Sequence, residues 1–344
     1  MPEPFQRHPL NPIVAPGIHD GPEWRRCVTF NPAVIRASDG RFYMLERAVA
    51  ELRPFVSVFG LLASDDGVHF ELVSDEPVFT ADEIGYARGN VQDPRLIEMD
   101  GQFILVYVLR KDTAHCNPTG LGVPDYTRPD LRPDITEQER KVMVASRSGV
   151  AVSDDLRSWK HLGWVGPEDL DDRDNMLFPE KIGGRYAMLR RPMSYVGPEY
   201  GCEGPAMWLS YGDDLAGPWD DPVLIAKGEG GWEGQKIGGS APPVRIDEGW
   251  LTSYHGVNAD SAYCLGFLLL DAQDPTRVLA RSQEPLMTPS EYYERVGLVI
   301  PNTIFPAANI LVDDELWLYY GCCDTSIALA TAKVSDILDH MKAV

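Results

Sequence analysis

The sequence predicts an all-β chain: a five-bladed β-propeller with a short C-terminal helix. Three observations carry this. Five segments repeat one hairpin shape, each is followed by a weaker pattern suited to two further strands, and the segments recur at roughly 63 residues. The hairpins are FNPAVIRASDGRFYMLERA from Phe30, VQDPRLIEMDGQFILVYV from Val91, LFPEKIGGRYAMLRRP from Leu177, SAPPVRIDEGWLTSYHG from Ser240 and IFPAANILVDDELWLYYG from Ile304. In each, a proline precedes or opens a short apolar strand, a polar turn follows, and an aromatic-rich strand alternates with period two.

Their prolines, Pro32, Pro94, Pro179, Pro242 and Pro306, are separated by 62, 85, 63 and 64 residues. The long step holds a stretch rich in Pro, Asp and Arg between Tyr107 and Lys141 that has no periodicity. It reads as an inserted loop, about residues 108–140. The weaker motifs GLLASDDGVHF, GVAVSDDLRSW, MWLSYGDDLAGPW, LGFLLLDAQDPTRV and IALATAKVSDIL predict a third strand, a turn and a fourth strand or blade edge. A sandwich or jelly roll with coincidental similarity is the competing fold. The tail VSDILDHMKAV places Val334, Ile337, Leu338 and Met341 on one helical face, to pack on the outer edge. Residues 1–344 are thus expected to form one propeller domain.

The chain has 344 residues, is 44% hydrophobic, and carries a net charge of −21. Such a field repels phosphate backbones, which disfavours nucleic-acid partners. No apolar run reaches the ~18 residues of a membrane span. The first residues, MPEPFQRHPLNP, lack a secretory pattern. Six cysteines without CxxC or Cys/His spacing argue against a disulfide scaffold or a zinc site. Buried thiols in a reducing cytoplasm are expected.

Ligands of propellers bind at the channel mouth, where the first strand of each blade begins, so function must be argued from the residues there. These are Asn31, Asp93 to Arg95, Arg173 to Lys181, Lys236 to Ser240 and Asn302 to Phe305. Asp93, in GNVQDPRL, would be a proton donor if desolvation raised its pKa. The bland alternative is an aspartate bonding nearby backbone amides. Arg95 beside it would hold a sugar hydroxyl or neutralise Asp93. For so acidic a chain, the basic set is the less expected feature. Arg173 and Lys236 precede the hairpins of neighbouring blades, and Arg191 and His255 end their second strands, Arg190 standing next to Arg191. Four potential cations on adjacent blades suit a tetrahedral oxyanion such as phosphate; ion pairs to surrounding carboxylates are the alternative. Trp232, in GEGGWEG, is either a sugar-stacking platform or core.

With these blocks in order, the chain resembles glycoside hydrolase family 130, the β-mannoside phosphorylases and related β-mannosidases, which are five-bladed propellers. The likeness runs from FNPAVI through QDPRL, LFPEKIGGRYAMLRRP, KIGGSAPP, GWLTSYHGV and IFPAANIL to YYGCCDT. The resemblance implies that Asp93 is the catalytic acid, protonating a mannose hydroxyl that passes its own proton to the glycosidic oxygen. Phosphate then attacks from the opposite face with inversion, giving α-mannose 1-phosphate. It further implies mannose contacts from Asn31, Arg47, Arg53, Arg95 and Asp324, and phosphate contacts from Arg173, Arg191, Lys236 and His255. Hydrolytic members replace several of these cations, some by glutamates that activate water.

One departure stands out: Asp174 occupies a position that is asparagine in similar phosphorylases, with Asn175 adjacent. A carboxylate there is repulsive to phosphate unless protonated or turned away. The resemblance implies no cofactor and no metal, inorganic phosphate entering as co-substrate beside a mannose-containing oligosaccharide, and it allows a homo-oligomer. Three functions therefore stand side by side: an inverting phosphorylase; an inverting β-mannosidase acting on β-1,2- or β-1,4-mannosides, with Glu180, Asp172 or Asp174 positioning water; and a carbohydrate-binding propeller without catalysis. The insert would wall the acceptor side and set which sugar is accepted.

Overall fold

The computed structural model describes residues 3–17, 21–52, 55–87, 89–111 and 145–344. Arg53 and the predicted insert from residue 112 onward lie outside them. The described strands form five antiparallel sheets. Strand β1 is Gln6–Arg7. Blade 1 contains β2 (Val28–Arg36), β3 (Phe42–Val49), β4 (Ser57–Ser64) and β5 (Glu71–Leu72). Blade 2 contains β6 (Asn90–Met99), β7 (Gln102–Arg110), β8 (Arg147–Ser153) and β9 (Lys160–Trp164). Blade 3 contains β10 (Asp172–Leu177), β11 (Tyr186–Pro192), β12 (Met207–Gly212) and β13 (Val223–Ala226). In blade 4, β14 (Lys236–Gly239) and β15 (Val244–Ile246) both pair with β16 (Gly249–Val257), followed by β17 (Tyr263–Leu270) and β18 (Val278–Ser282). Helix α1 (Tyr292–Arg295) leads into blade 5, built from β19 (Ile304–Val312), β20 (Glu315–Cys322) and β21 (Ser326–Lys333). Helix α2 (Val334–Asp339) and β22 (Met341–Ala343) follow.

Each blade lies between two others, so both faces of its second strand are apolar and period-two alternation sorts side chains between neighbours. On β3, Met44 packs toward blade 5 and Leu45 toward blade 2. On β7, Leu105 and Tyr107 face blade 1, while Ile104 and Val106 face blade 3. On β20, Leu316, Leu318 and Tyr320 face blade 4, and Trp317 and Tyr319 face blade 1. The core is thus a ring of apolar wedges around the channel. In α2, Ile337 is buried against blades 4 and 5 with Leu338 packed beside it, as the sequence predicts, but the helix ends at Asp339 and Met341 reaches the same cluster from β22, which pairs with β18.

Two expectations need correction. The motif after the fifth hairpin supplies a third strand and then the helix, not a fourth strand; that place is taken by β1, which pairs antiparallel with β21. The prolines do not mark one position. Pro32 and Pro94 lie inside β2 and β6, whereas Pro179 and Pro242 follow the ends of β10 and β14. Proline is tolerated wherever a backbone N–H leaves the ladder, so it is a poor mark of register. Arg173 and Lys236 consequently lie within first strands rather than before them.

The joint between β1 and blade 5 is pinned by one buried carboxylate. Glu294, fully buried, meets Arg7 Nε at 2.7 Å and accepts from Tyr320 Oη at 2.8 Å and from the amides of Ser290 and Glu291 at 2.9 and 3.0 Å. Glu294→Ala strands a guanidinium against the core. It is expected to cost about 3–5 kcal/mol, the range for breaking one partner of a buried pair, read as a lower denaturant midpoint at unchanged slope.

Candidate active site

Three first strands make the same local irregularity. The ladder slips between Phe30 and Ala33 on β2, between Gln92 and Arg95 on β6, and between Arg173 and Met176 on β10. Asn31–Pro32, Asp93–Pro94 and Asp174–Asn175 are the residues expelled. The first of each pair is left-handed, with φ of 43°, 48° and 53°. Asn and Asp are the side-chain-bearing residues that tolerate this region best, and a bulge re-aims the side chain it carries. Cys323 and Asp324, after β20, are left-handed too, at 51° and 47°. The site is therefore assembled on strained backbone, as functional sites often are.

On one side stands Asp93. Its Oδ1 accepts from Asn31 Nδ2 and from Arg47 Nη1, both at 2.9 Å. These partners are side chains of blade 1, not nearby backbone amides. Its side chain remains 19% exposed, so a ligand can reach it. Burial pushes its pKa upward, but Arg47, Arg95 and Asn31 prevail and hold it below the ordinary carboxylate value. The expected raised pKa is thus not found on Asp93. It is found on Asp324, which burial pushes to about 7 against the pull of Arg47, with Asp93 adding like-charge repulsion. Gly321 makes room for Asn31: a Cβ there would fall 2.1 Å from its Oδ1.

Facing them is the basic pocket. Arg95 is buried, and its guanidinium lies 5.5 Å from the Phe305 ring centre. One nitrogen donates to the Pro94 carbonyl at 2.9 Å; Nε and Nη2 have no hydrogen-bond partner in the protein. Arg191 Nη1 lies 2.6 Å from Asp174 Oδ2 and 2.9 Å from His255 Nε2, while its Nε is likewise unpartnered. Both polar atoms of buried Asn175 also lack protein partners. Buried donors without a protein partner are open to water or a polar ligand. Lys236 sits over Tyr263, 5.2 Å from its ring centre; burial, Arg191 and Arg173 lower its pKa to about 8. Arg173 forks onto Asp171 at 2.7 and 2.6 Å.

His255 differs from the expectation of a cation. It is fully buried, and burial together with Arg191, Lys236 and Arg95 pushes its pKa well below the ordinary value. A neutral imidazole accepts the Arg191 N–H at Nε2, and Nδ1 lies 3.3 Å from Ser240 Oγ. It orients Arg191 rather than adding charge.

The predicted residues Asn31, Arg47, Arg95, Asp93 and Asp324 cluster, as do Arg191, Lys236 and His255. Arg173 is joined to the second group through its field on Lys236. Arg190 belongs elsewhere, forked onto buried Asp172 at 2.9 and 2.6 Å. That pairing occupies Asp172 Oδ2 and leaves Oδ1 without a protein partner, and Glu180 is exposed beyond the end of β10. Trp232 is core: it packs on Tyr254 at 5.6 Å, donates to the Gln283 carbonyl at 3.2 Å, and covers Gly256 and Gly266. Sequence reasoning missed Tyr263, and it placed Gly238 in the Lys236 to Ser240 stretch without seeing its role. A Cβ on Gly238 would meet Asp174, Arg191 and His255 at 2.1, 2.5 and 2.8 Å, so only glycine lets them converge. The adjacent glycines of KIGG were the available signal.

A five-bladed propeller that gathers an acidic pair and a cationic pocket at the first strands of its blades carries a site for a polar, anionic ligand. Comparison with known proteins gives the particular family. A family model described as β-1,4-mannooligosaccharide phosphorylase, glycoside hydrolase family 130, matches residues 4–153 and 136–343. The chain is 30% identical over 331 residues to a 1,2-β-oligomannan phosphorylase of Thermoanaerobacter sp. (strain X514), covering 95% of this chain and 96% of that one. It is 33% identical over 318 residues to a β-1,2-mannobiose phosphorylase of the same organism, covering 90% and 91%. The solved β-1,2-mannobiose phosphorylase of Listeria innocua, in complex with β-1,2-mannobiose, superposes with a TM-score of 0.73 at 22% identity over 98% of both chains. The chain belongs to glycoside hydrolase family 130 and is an enzyme of that family.

Proposed function

We propose that this enzyme is an inverting β-mannoside phosphorylase, residues 1–344 acting as one catalytic propeller, with β-1,2-linked mannosides as its substrate class. The observation that carries the reading is the convergence of Arg95, Arg191 and Lys236, with unpartnered guanidinium donors, opposite the Asp93–Asp324 pair. An anionic nucleophile needs charge compensation, whereas water needs a base. The full-length relatives named for β-1,2-mannosides support the linkage. Buried free cysteines support a reducing, cytoplasmic setting. No helix among the described residues is long and apolar enough to cross a membrane.

In this reading an oxygen of phosphate forms the new bond to the anomeric carbon on the α face while the β-glycosidic bond breaks. The leaving oxygen takes its proton from Asp93, directly or through a mannose hydroxyl. In the free enzyme the acidic pair holds its proton on Asp324 near neutrality, so the two titrate as a unit. Sugar hydroxyls that take over Asn31 and Arg47 release their hold on Asp93, and burial then favours its protonated form. Phosphate ligation is assigned to Arg173, Arg191 and Lys236, with His255 as the support of Arg191. Asp174, a carboxylate inside the pocket, is the observation that favours a hydrolase.

The deciding experiment incubates β-1,2- and β-1,4-mannobiose with and without inorganic phosphate and identifies the products by NMR. Phosphate-dependent release of α-mannose 1-phosphate is expected, fastest with the β-1,2 substrate. Free mannose at full rate without phosphate would replace this reading with a β-mannosidase.

A further inference from the structure

Asp174 carries a charge that opposes the proposed co-substrate, yet it lies at the pocket's centre. On its own strand it is flanked by Arg173, held by Asp171, and by the unpartnered Asn175. From blade 2 it faces Arg95, with Asp93 beyond. On β11 it meets Arg191 at 2.6 Å. Blade 4 presents Lys236, the bare backbone of Gly238 and the neutral ring of His255, whose Nε2 is 3.5 Å from Oδ2. The carboxylate is buried and packed so closely on Gly238 that a Cβ there would lie 2.1 Å from Oδ2. Asp174 and Arg191 are both buried and in contact, so an anion bound to Arg191 is placed beside this carboxylate.

We propose that Asp174 is a specificity-determining residue for the nucleophile: phosphate and the Asp174 carboxylate compete for Arg191, so phosphate binds with one proton held between Oδ2 and a phosphate oxygen. The proposal rests on the phosphorolytic reading. The proton removes the like-charge contact and turns the carboxyl into a donor, which a phosphate oxygen accepts. Its source is solvent or the phosphate monoanion; in either case the pocket takes phosphate at the charge of a monoanion. Supporting this, burial drives the Asp174 carboxyl above its ordinary value despite Arg191 and Arg95, so the protonated form is within reach. Lys236, which titrates at about 8, imposes a separate loss of affinity at higher pH.

The test is calorimetric titration of the full chain with inorganic phosphate near neutral pH, in buffers of different ionisation heat, on wild type, Asp174→Asn and Asp174→Ser. Wild type is expected to take up about one proton more per phosphate than either variant, with a phosphate KM that climbs up to tenfold per pH unit above the titration of Asp174, where Asp174→Asn stays flatter and lower. Equal proton counts in proteins that all bind phosphate would overturn the role of Asp174. So would loss of phosphate-independent cleavage in Asp174→Asn, which would make the residue a base for water. If wild type neither binds phosphate nor depends on it, the phosphorolytic reading itself fails, and this inference with it.

Discussion

Asp93→Asn is expected to lower turnover on a β-mannoside by about a thousandfold, within the 10²–10⁴ that a positioned acid contributes. The amide keeps the size of the side chain and can still contact Asn31, so KM for the mannoside should change far less than kcat. The pH profile supplies the second readout. Asp324 has its pKa raised to about 7, so it is neutral below that pH and ionised above it. The acidic pair therefore loses its proton as pH rises through about 7, and wild-type kcat/KM should fall on that limb. Asp324→Asn should displace the limb, because one of the two titrating carboxyls is gone. Unchanged turnover in Asp93→Asn would remove its acid role and favour a binding propeller.

Arg191→Ala is expected to cut kcat/KM for phosphate by about 10²–10³, equivalent to about 2.7–4.1 kcal/mol of lost transition-state stabilisation. Two contacts vanish together, the pair with Asp174 at 2.6 Å and the donation to His255 at 2.9 Å, and with them the buried, unpartnered Nε donor. Arg191→Lys keeps the charge without the planar fork and should recover part of the loss. Thermal midpoints of both variants separate a folding defect from a binding one. A phosphate KM unchanged in Arg191→Ala would place the co-substrate elsewhere.

The blades were legible because their second strands carry apolar residues on both faces in strict alternation, a pattern that the wedge between neighbours imposes. Strand β1 was not, since two residues, Gln6 and Arg7, carry no pattern and gain their place from pairing with β21. The acid and the basic pocket were legible in part. NP, DP and DN mark the bulges of blades 1 to 3, but nothing in those dipeptides says that their first residue must be left-handed. Ionisation was the least legible property. Asp93, Asp324 and His255 owe their states first to burial and then to charges drawn largely from other blades, and both exist only after closure. Trp232 was ambiguous because a Gly-rich loop serves equally to expose an indole or to let one lie flat on glycine backbone.

The pairing of Gln6 with Thr331 and of Arg7 with Ala330 has a consequence for how the chain matures. Blades 1 to 3 each draw all their strands from one stretch of the chain, blade 2 with the insert between β7 and β8, and are free to form while synthesis continues. Blade 5 cannot acquire its outer strand until its third strand has been made, so the ring locks in one late, long-range event. Until then the apolar flank of blade 1 that awaits blade 5, with Val34, Phe42 and Met44, is open to solvent and to other chains. Nascent-chain protease sensitivity should therefore persist until translation has passed residue 333.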